Sequence, residues 1–187
     1  TVVFPAKTMI AAAMNPCKCG FFPDLGKCRC TPTQIRRYLN RVSGPFLDRI
    51  DIGVEVPRQD LGMMAAEKGI DEGSFPQTEQ RNSSAVMRAR VMEARARQEK
   101  RFADESISYN SQMTRRQIEE YCRLSGEDAV FLEKVERQQG ISARGHGKIL
   151  KVARTLADLD GQAEIGRMQL AEAIGFRSFE KKYWGSL

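Results

Sequence analysis

Apolar positions in the first 60 residues come in two short runs rather than one long period. Residues 9–14, Met-Ile-Ala-Ala-Ala-Met, form an apolar run that stops at Asn15-Pro16, which predicts a short buried strand. A loop containing Gly20, Pro23 and Gly26 follows. Thr31-Pro32 has the form of an N-cap with proline at the first helical position, predicting a helix to about Val42. Ser43-Gly44-Pro45 breaks that helix, and Ile50, Ile52, Val54 and Val56 then alternate with polar or small residues, predicting a second strand.

Residues 57–82 hold Pro57, Gly62, Gly69, Gly73 and Pro76 with no sustained period, so a domain boundary is expected there. Beyond it the pattern turns helical. Ser83-Ser84 caps a helix to about Phe102, and a looser stretch around Tyr109-Asn110 follows. Thr114 caps a helix to about Tyr121, Ser125 one to Gln139 closed by Gly140, and Ser142 one to about Leu159. A last helix runs from about Arg167 to Ile174. The expected organisation is a strand–loop–helix–strand unit at 1–60, a linker at 61–82 and a helical bundle at 83–187.

The chain has 187 residues, 41% apolar and 29% charged, the composition of a globular protein with a core of its own. Its longest apolar run is far short of the roughly 20 residues of a membrane span, and its start lacks the basic and apolar blocks of a signal peptide. No membrane partner is expected, and the expected location is the cytoplasm. Net charge is +6, with nine basic and five acidic residues at 1–60, one and four at 61–79, and twenty and fifteen at 80–187. The excess is compatible with phosphate contacts and equally with a solvated surface. The series Arg88, Arg90, Arg95, Arg97, Lys100 and Arg101, with Glu93 and Glu99, reads as a solvated helix face with i,i+4 pairs, DNA contact being the alternative.

Four of five cysteines cluster as Cys17-Lys18-Cys19 and Cys28-Arg29-Cys30. In a reducing compartment disulfides are not the default, and two C-x-C pairs across a Gly- and Pro-bearing loop can offer four thiolates to one zinc ion. Lys18, Lys27 and Arg29 would offset the charge. With no histidine or carboxylate arranged to leave an open position, the expected zinc is structural. Cys122 reads as a small buried apolar residue. His146, between two glycines, reads as an exposed helix-start residue.

Three stretches carry a resemblance: Ala11-Ala12-Ala13-Met14-Asn15-Pro16-Cys17, Ser43-Gly44-Pro45-Phe46-Leu47-Asp48-Arg49-Ile50-Asp51, and Ile141-Ser142-Ala143-Arg144 with Lys151-Val152-Ala153-Arg154-Thr155-Leu156-Ala157-Asp158-Leu159. In this order, and with the Phe4-Pro5-Ala6 approach and the cysteine loop, they resemble the magnesium-chelatase-like AAA+ ATPases of the bacterial ComM/YifB type. The resemblance implies that 1–60 is an α/β remnant, the last strands and helix of an AAA+ P-loop core, and that 83–187 is an all-α lid. It implies that Asn15 is the sensor 1 asparagine, which orients the attacking water beside the γ-phosphate. Arg49 matches the arginine finger, and Arg144 matches sensor 2, which touches the nucleotide phosphates. On the residues alone, Asn15 could simply turn the chain before Pro16, Arg49 could pair with Asp48 or Asp51, and Arg144 could be an exposed helix-start arginine.

The sequence departs from that family in one respect. It holds no G-x-x-x-x-G-K-[ST], and Gly145-His146-Gly147-Lys148 lacks the spacing, the preceding strand and the final hydroxyl. No strand ends in an acidic pair for Mg²⁺. In the family both motifs precede sensor 1, so the chain is expected to be the carboxy-terminal portion of a longer ATPase and inactive alone. ATP and Mg²⁺ would be cofactors of the whole protein, and a hexameric ring that remodels DNA is its expected form. A chelatase-type motor acting on a protein and a porphyrin, and a passive zinc-loop module binding nucleic acid, are the alternatives.

Overall fold

The computed structural model describes residues 2–3, 8–56 and 83–185. The predicted linker at 61–82 and the Phe4-Pro5-Ala6 approach lie outside the described residues. Helix α1 (Pro32–Leu39) is followed by the short α2 (Gly44–Leu47), and then by α3 (Ser84–Arg101). A 3-10 turn (Asn110–Gln112) leads into α4 (Arg115–Tyr121), α5 (Gly126–Gln139), α6 (Ala143–Leu159) and α7 (Arg167–Gly175). A short α8 (Ser178–Glu180) and a π turn (Lys181–Gly185) end the described chain.

Capping sets these starts. The hydroxyls of Ser83, Thr114, Ser125 and Ser142 accept from the N–H groups of Val86, Gln117, Asp128 and Gly145, each where the sequence predicts a helix start. Each such cap contributes about 1 kcal/mol. Thr31 and Gln34 satisfy each other's N–H groups at 3.3 and 3.0 Å, with Pro32 opening α1. Gly140, at φ +68°, takes the left-handed conformation that closes α5. Helix α1 ends at Leu39 rather than near Val42, and Ser43 caps a further turn instead of merely ending a helix.

Among the described residues there is no β-strand, so neither predicted strand, at 9–14 or at 50–56, is observed, and the α/β remnant does not form here. An extended segment becomes a strand only when a neighbour satisfies its N–H and C=O groups. Met9 and Ile10 are 93% and 71% exposed, and Val54 and Val56 face solvent as well. Residues 50–56 run instead along the carboxy-terminal turn, where Gly53 N–H donates to the Phe176 carbonyl at 2.9 Å. A β-carbon on Gly53 would run into the Phe179 ring, so only glycine permits this approach.

The main core joins α4 to α7 around α6, with Leu132, Ile149, Ala153, Ala157 and Leu170 fully or almost fully buried. Cys122 packs here as expected, and burial pushes its thiol up to about 11. A buried ionic network fastens α3 to α6. Asp158, at 0% exposure, accepts from both guanidinium nitrogens of Arg101, from Asn110 Nδ2 at 2.8 Å and from Arg154 at 3.1 Å. Arg154 also donates to the carbonyls of Gln162 and Ala163, fixing the turn into α7. Arg97 of the exposed series pairs with Glu93 at 3.8 Å as expected, but Arg101 departs from that reading because its partner is this buried carboxylate.

Burial alone would raise the Asp158 pKa, but hydrogen bonds from Arg101 and Asn110 and two nearby guanidinium charges hold it below the ordinary carboxylate range. Removing a buried partner of this kind costs about 3–5 kcal/mol, because the remaining charges lose their counterion. Asp158→Ala is therefore expected to lower stability by about that amount in urea unfolding at neutral pH. A depressed carboxylate stabilises above its unfolded pKa of about 3.9 and loses that contribution as the pH falls through its native value. The difference between the native protein and Asp158→Ala should therefore shrink in acid; a gap independent of pH, or none at all, would contradict the network.

Candidate metal centre and arginine junction

The cysteine loop folds back on itself through short local bonds. Gly20 N–H donates to the Cys17 carbonyl at 3.1 Å, and Gly20 takes a positive φ of 78° against the Asn15 side chain. Asp24 then accepts from Gly26 and Cys28 backbone N–H groups at 3.0 and 2.8 Å, which turns the second cysteine pair toward the first. All four sulfurs lie within 4.8 Å of one another. Cys17 Sγ is 3.4 Å from Cys19 Sγ and 3.8 Å from Cys28 Sγ, and Cys19 and Cys28 are 3.6 Å apart.

A tetrahedral ion with metal–sulfur bonds of ~2.3 Å requires sulfur–sulfur separations of about 3.8 Å. The donor set and spacing fit one metal ion and are compatible with zinc. The four thiols also influence one another's ionisation. The Phe21 N–H and other donors lower Cys19 to about 6, and at Cys17 the Phe22 and Phe21 N–H groups outweigh the upward pull of burial. Cys28 is lowered by the Cys30 N–H, but burial and its sulfur neighbours push it to about 11; Cys30 is likewise raised by the same neighbours, against a backbone bond from Cys19. Four adjacent thiolates repel one another, and a divalent ion bound among them would offset that repulsion.

Around the sulfurs sits a small second core: Cys17, Ile35 and Leu39, with Phe22, Tyr38, Tyr183 and Trp184 packed on it. The Trp184 indole N–H donates to the Leu39 carbonyl at 3.0 Å, and Phe22 meets Tyr183 edge-on with ring centres 6.1 Å apart. The carboxy-terminal turn therefore reaches from the bundle to the cysteine module. Nothing in the hydropathy pattern announces this, since Tyr183 and Trp184 belong to no periodic segment.

The predicted arginines meet at a second place. Asp48 accepts from Arg144 at 3.1 Å and from the Ser142 hydroxyl at 3.3 Å, so the loop after α2 is bonded to the start of α6. These contacts hold the Asp48 carboxyl below its ordinary value against the opposing effect of burial. Arg49, next in the chain, is exposed and donates to the Pro45 carbonyl, so it pairs with neither Asp48 nor Asp51. Its own carbonyl accepts from Lys148, which also pairs with Asp51 at 2.9 Å. Arg177 donates to the Ile50 carbonyl at 2.9 Å. Asn15 is exposed and has no hydrogen bond to Arg49 or Arg144. His146 differs from its predicted exposure: it is half-buried, with Nδ1 2.7 Å from Glu136.

The carboxy-terminal profile of magnesium chelatase subunit ChlI matches residues 81–177, the bundle α3 to α7, and the magnesium chelatase subunit ChlI profile matches 1–64. The chain belongs to the magnesium chelatase ChlI family. Competence protein ComM of Haemophilus influenzae is 40% identical over 178 residues, 95% of this chain and 32% of that protein. Protein YifB of Escherichia coli is 39% identical over 180 residues, 96% of this chain and 33% of its own. A Mycobacterium tuberculosis protein is 30% identical over 174 residues, 93% of this chain and 32% of its own. The chain thus spans about a third of the length of the curated relatives it matches. Family membership agrees with the resemblance read from the three ordered stretches. The Arg154 and Asp158 of the third stretch are part of the buried network.

Protein purified without chelator is expected to carry about one metal ion per chain, zinc by donor chemistry and therefore without visible absorbance. Cys17→Ser, at the fully buried ligand, should bring elemental analysis well below one equivalent; metal-free native protein would contradict the site.

Proposed function

We propose that this chain supplies the sensor, finger and lid elements of an AAA+ ATPase ring that uses ATP to remodel DNA. The junction supports this reading. Asp48 ties the start of α6, where Arg144 stands, to the loop that presents Arg49, so the two arginines assigned to phosphate are held on one surface feature. A guanidinium has a fixed fork of donors suited to phosphate oxygens, and both arginines are exposed enough to reach a ligand.

In the complete protein, Arg49 neutralises charge on the transferring phosphoryl group of a neighbouring subunit, and Arg144 contacts the nucleotide phosphates from the lid. Asn15 holds the attacking water at the end of its segment. Residues 9–14 and 50–56 complete an α/β core by pairing with strands that the relatives' additional length provides, which explains their exposed apolar side chains. Bound zinc supplies a cross-link with no open coordination position, so Cys17, Cys19, Cys28 and Cys30 have a structural role. The second reading is a chelatase-type motor on a protein and porphyrin partner, and the match to magnesium chelatase subunit ChlI favours it. Likeness to a competence protein over 95% of the chain supports the DNA reading instead.

Arg49→Ala in the complete protein is expected to lower ATP turnover by roughly 10³-fold or more while ATP binding stays largely intact. Mixing these subunits with phosphate-binding mutants should restore part of the activity if the arginine acts between subunits. Turnover that survives Arg49→Ala would remove the residue from this role.

A further inference from the structure

Charge is divided very unevenly along this chain. Residues 1–47 contain seven Lys and Arg and a single acidic residue, Asp24, whereas the remaining 140 residues carry 23 of each sign. The whole net charge of +6 therefore resides in the cysteine module and what precedes it. In the bundle, many arginines have a carboxylate partner: Arg97 with Glu93, Arg115 with Glu119, Arg137 with Glu133 and Arg167 with Asp128, although Arg88, Arg95 and Arg123 have none among the described residues. In the module, Lys18, Arg29, Arg36, Arg37 and Arg41 are exposed and their side chains have no hydrogen bond or ion pair among the described residues. Lys27 has only a long contact, 3.8 Å, to Asp24.

Part of this charge has a local use. A four-thiolate zinc site is formally about two charges negative, and Lys18, Lys27 and Arg29 surround it in sequence. The arginines of α1 have no such use. Ile35 and Leu39 turn the buried face of α1 toward the cysteines, and Thr33, Arg36, Arg37 and Asn40 remain outside, with Arg41 just beyond the helix end. A helix carboxyl end attracts cations, and Arg36 and Arg37 stand in that last turn, but the effect is weak. It does not account for three arginines, an amide and a hydroxyl on one face with no carboxylate between Asp24 and Asp48.

We infer that the solvent side of α1, flanked by Lys27 and Arg29, docks the sugar–phosphate backbone of DNA. The assignment rests on the DNA reading above and gives it a location, away from the arginine series of α3. Guanidinium, amide and hydroxyl donors are the groups that take phosphate oxygens, and they position a duplex without reading its sequence. Lys27 and Arg29 also line a shallow hollow with Cys19, Phe21 and Gly26, which extends the positive surface beside the metal site. The named α1 side chains include no apolar residue that would enter a bilayer, so the face suits a polyelectrolyte better than a membrane.

The test uses the metal-loaded complete protein and a fluorescein-labelled duplex, with anisotropy followed across a salt series. Replacing Arg36, Arg37 and Arg41 together by alanine should weaken binding at least about tenfold at moderate salt. The slope of log affinity against log salt should fall by about 0.9 for each phosphate that the variant no longer neutralises. The same three positions as lysine should retain most of the slope, and Arg88→Ala with Arg95→Ala on α3 should leave it unchanged. Metal content and Trp184 emission report whether the variants keep their fold. A triple variant that binds like the native protein, or weakening confined to the α3 variant, overturns the α1 assignment and leaves the DNA reading standing. Failure of the native protein to bind DNA at any salt overturns both, and α1-dependent binding to phosphatidylserine vesicles without DNA binding identifies a membrane contact and overturns the inference.

Discussion

Cys17, Ile35 and Leu39 form the whole buried centre around which the cysteine loop and α1 are arranged. So few buried side chains cannot offset the conformational entropy of some forty ordered residues, which amounts to about 1–2 kcal/mol per residue for the backbone alone. Something else must hold the loop. Four sulfurs within 4.8 Å of one another are placed to do so, and a metal ion bound among them would turn the loop into a fixed base for α1. Everything that α1 presents to solvent depends on this.

The bundle has its own source of order. Asp158 satisfies two guanidinium groups and an amide at the junction of α3, the 3-10 turn and α6, and Arg154 carries the same network into the turn before α7. The two units meet along a seam of polar contacts: Asp48 with Arg144, Asp51 with Lys148, Ile50 with Arg177, and Glu55 with Lys182. Trp184 closes the circuit by bonding to Leu39. The loop that carries Arg49 is thereby anchored to the start of the helix that carries Arg144.

Much of the bundle is legible in the sequence because helix caps are local: Ser83, Thr114, Ser125 and Ser142 each act three residues along the chain. The cysteine cluster is legible from spacing alone. The strands at 9–14 and 50–56 do not form because pairing needs neighbours that the described residues do not include. Arg101 escapes a local reading because its partner, Asp158, is 57 residues away, and the Asp48–Arg144 contact spans 96. Period and propensity do not reach that far. The closing turn through Tyr183 and Trp184 escapes for a different reason, since aromatic packing on a single turn leaves no repeating pattern.

The cysteine loop, α1 and the carboxy-terminal turn share one small core, with Trp184 bonded to the Leu39 carbonyl, and are expected to gain or lose order together. Amide hydrogen exchange with and without a chelator tests it most directly. Removing the metal should release protection in residues 17–42 and, together with it, in 176–185, while α5 and α6 keep theirs. Loss restricted to the cysteine loop, with 176–185 still protected, would contradict the account.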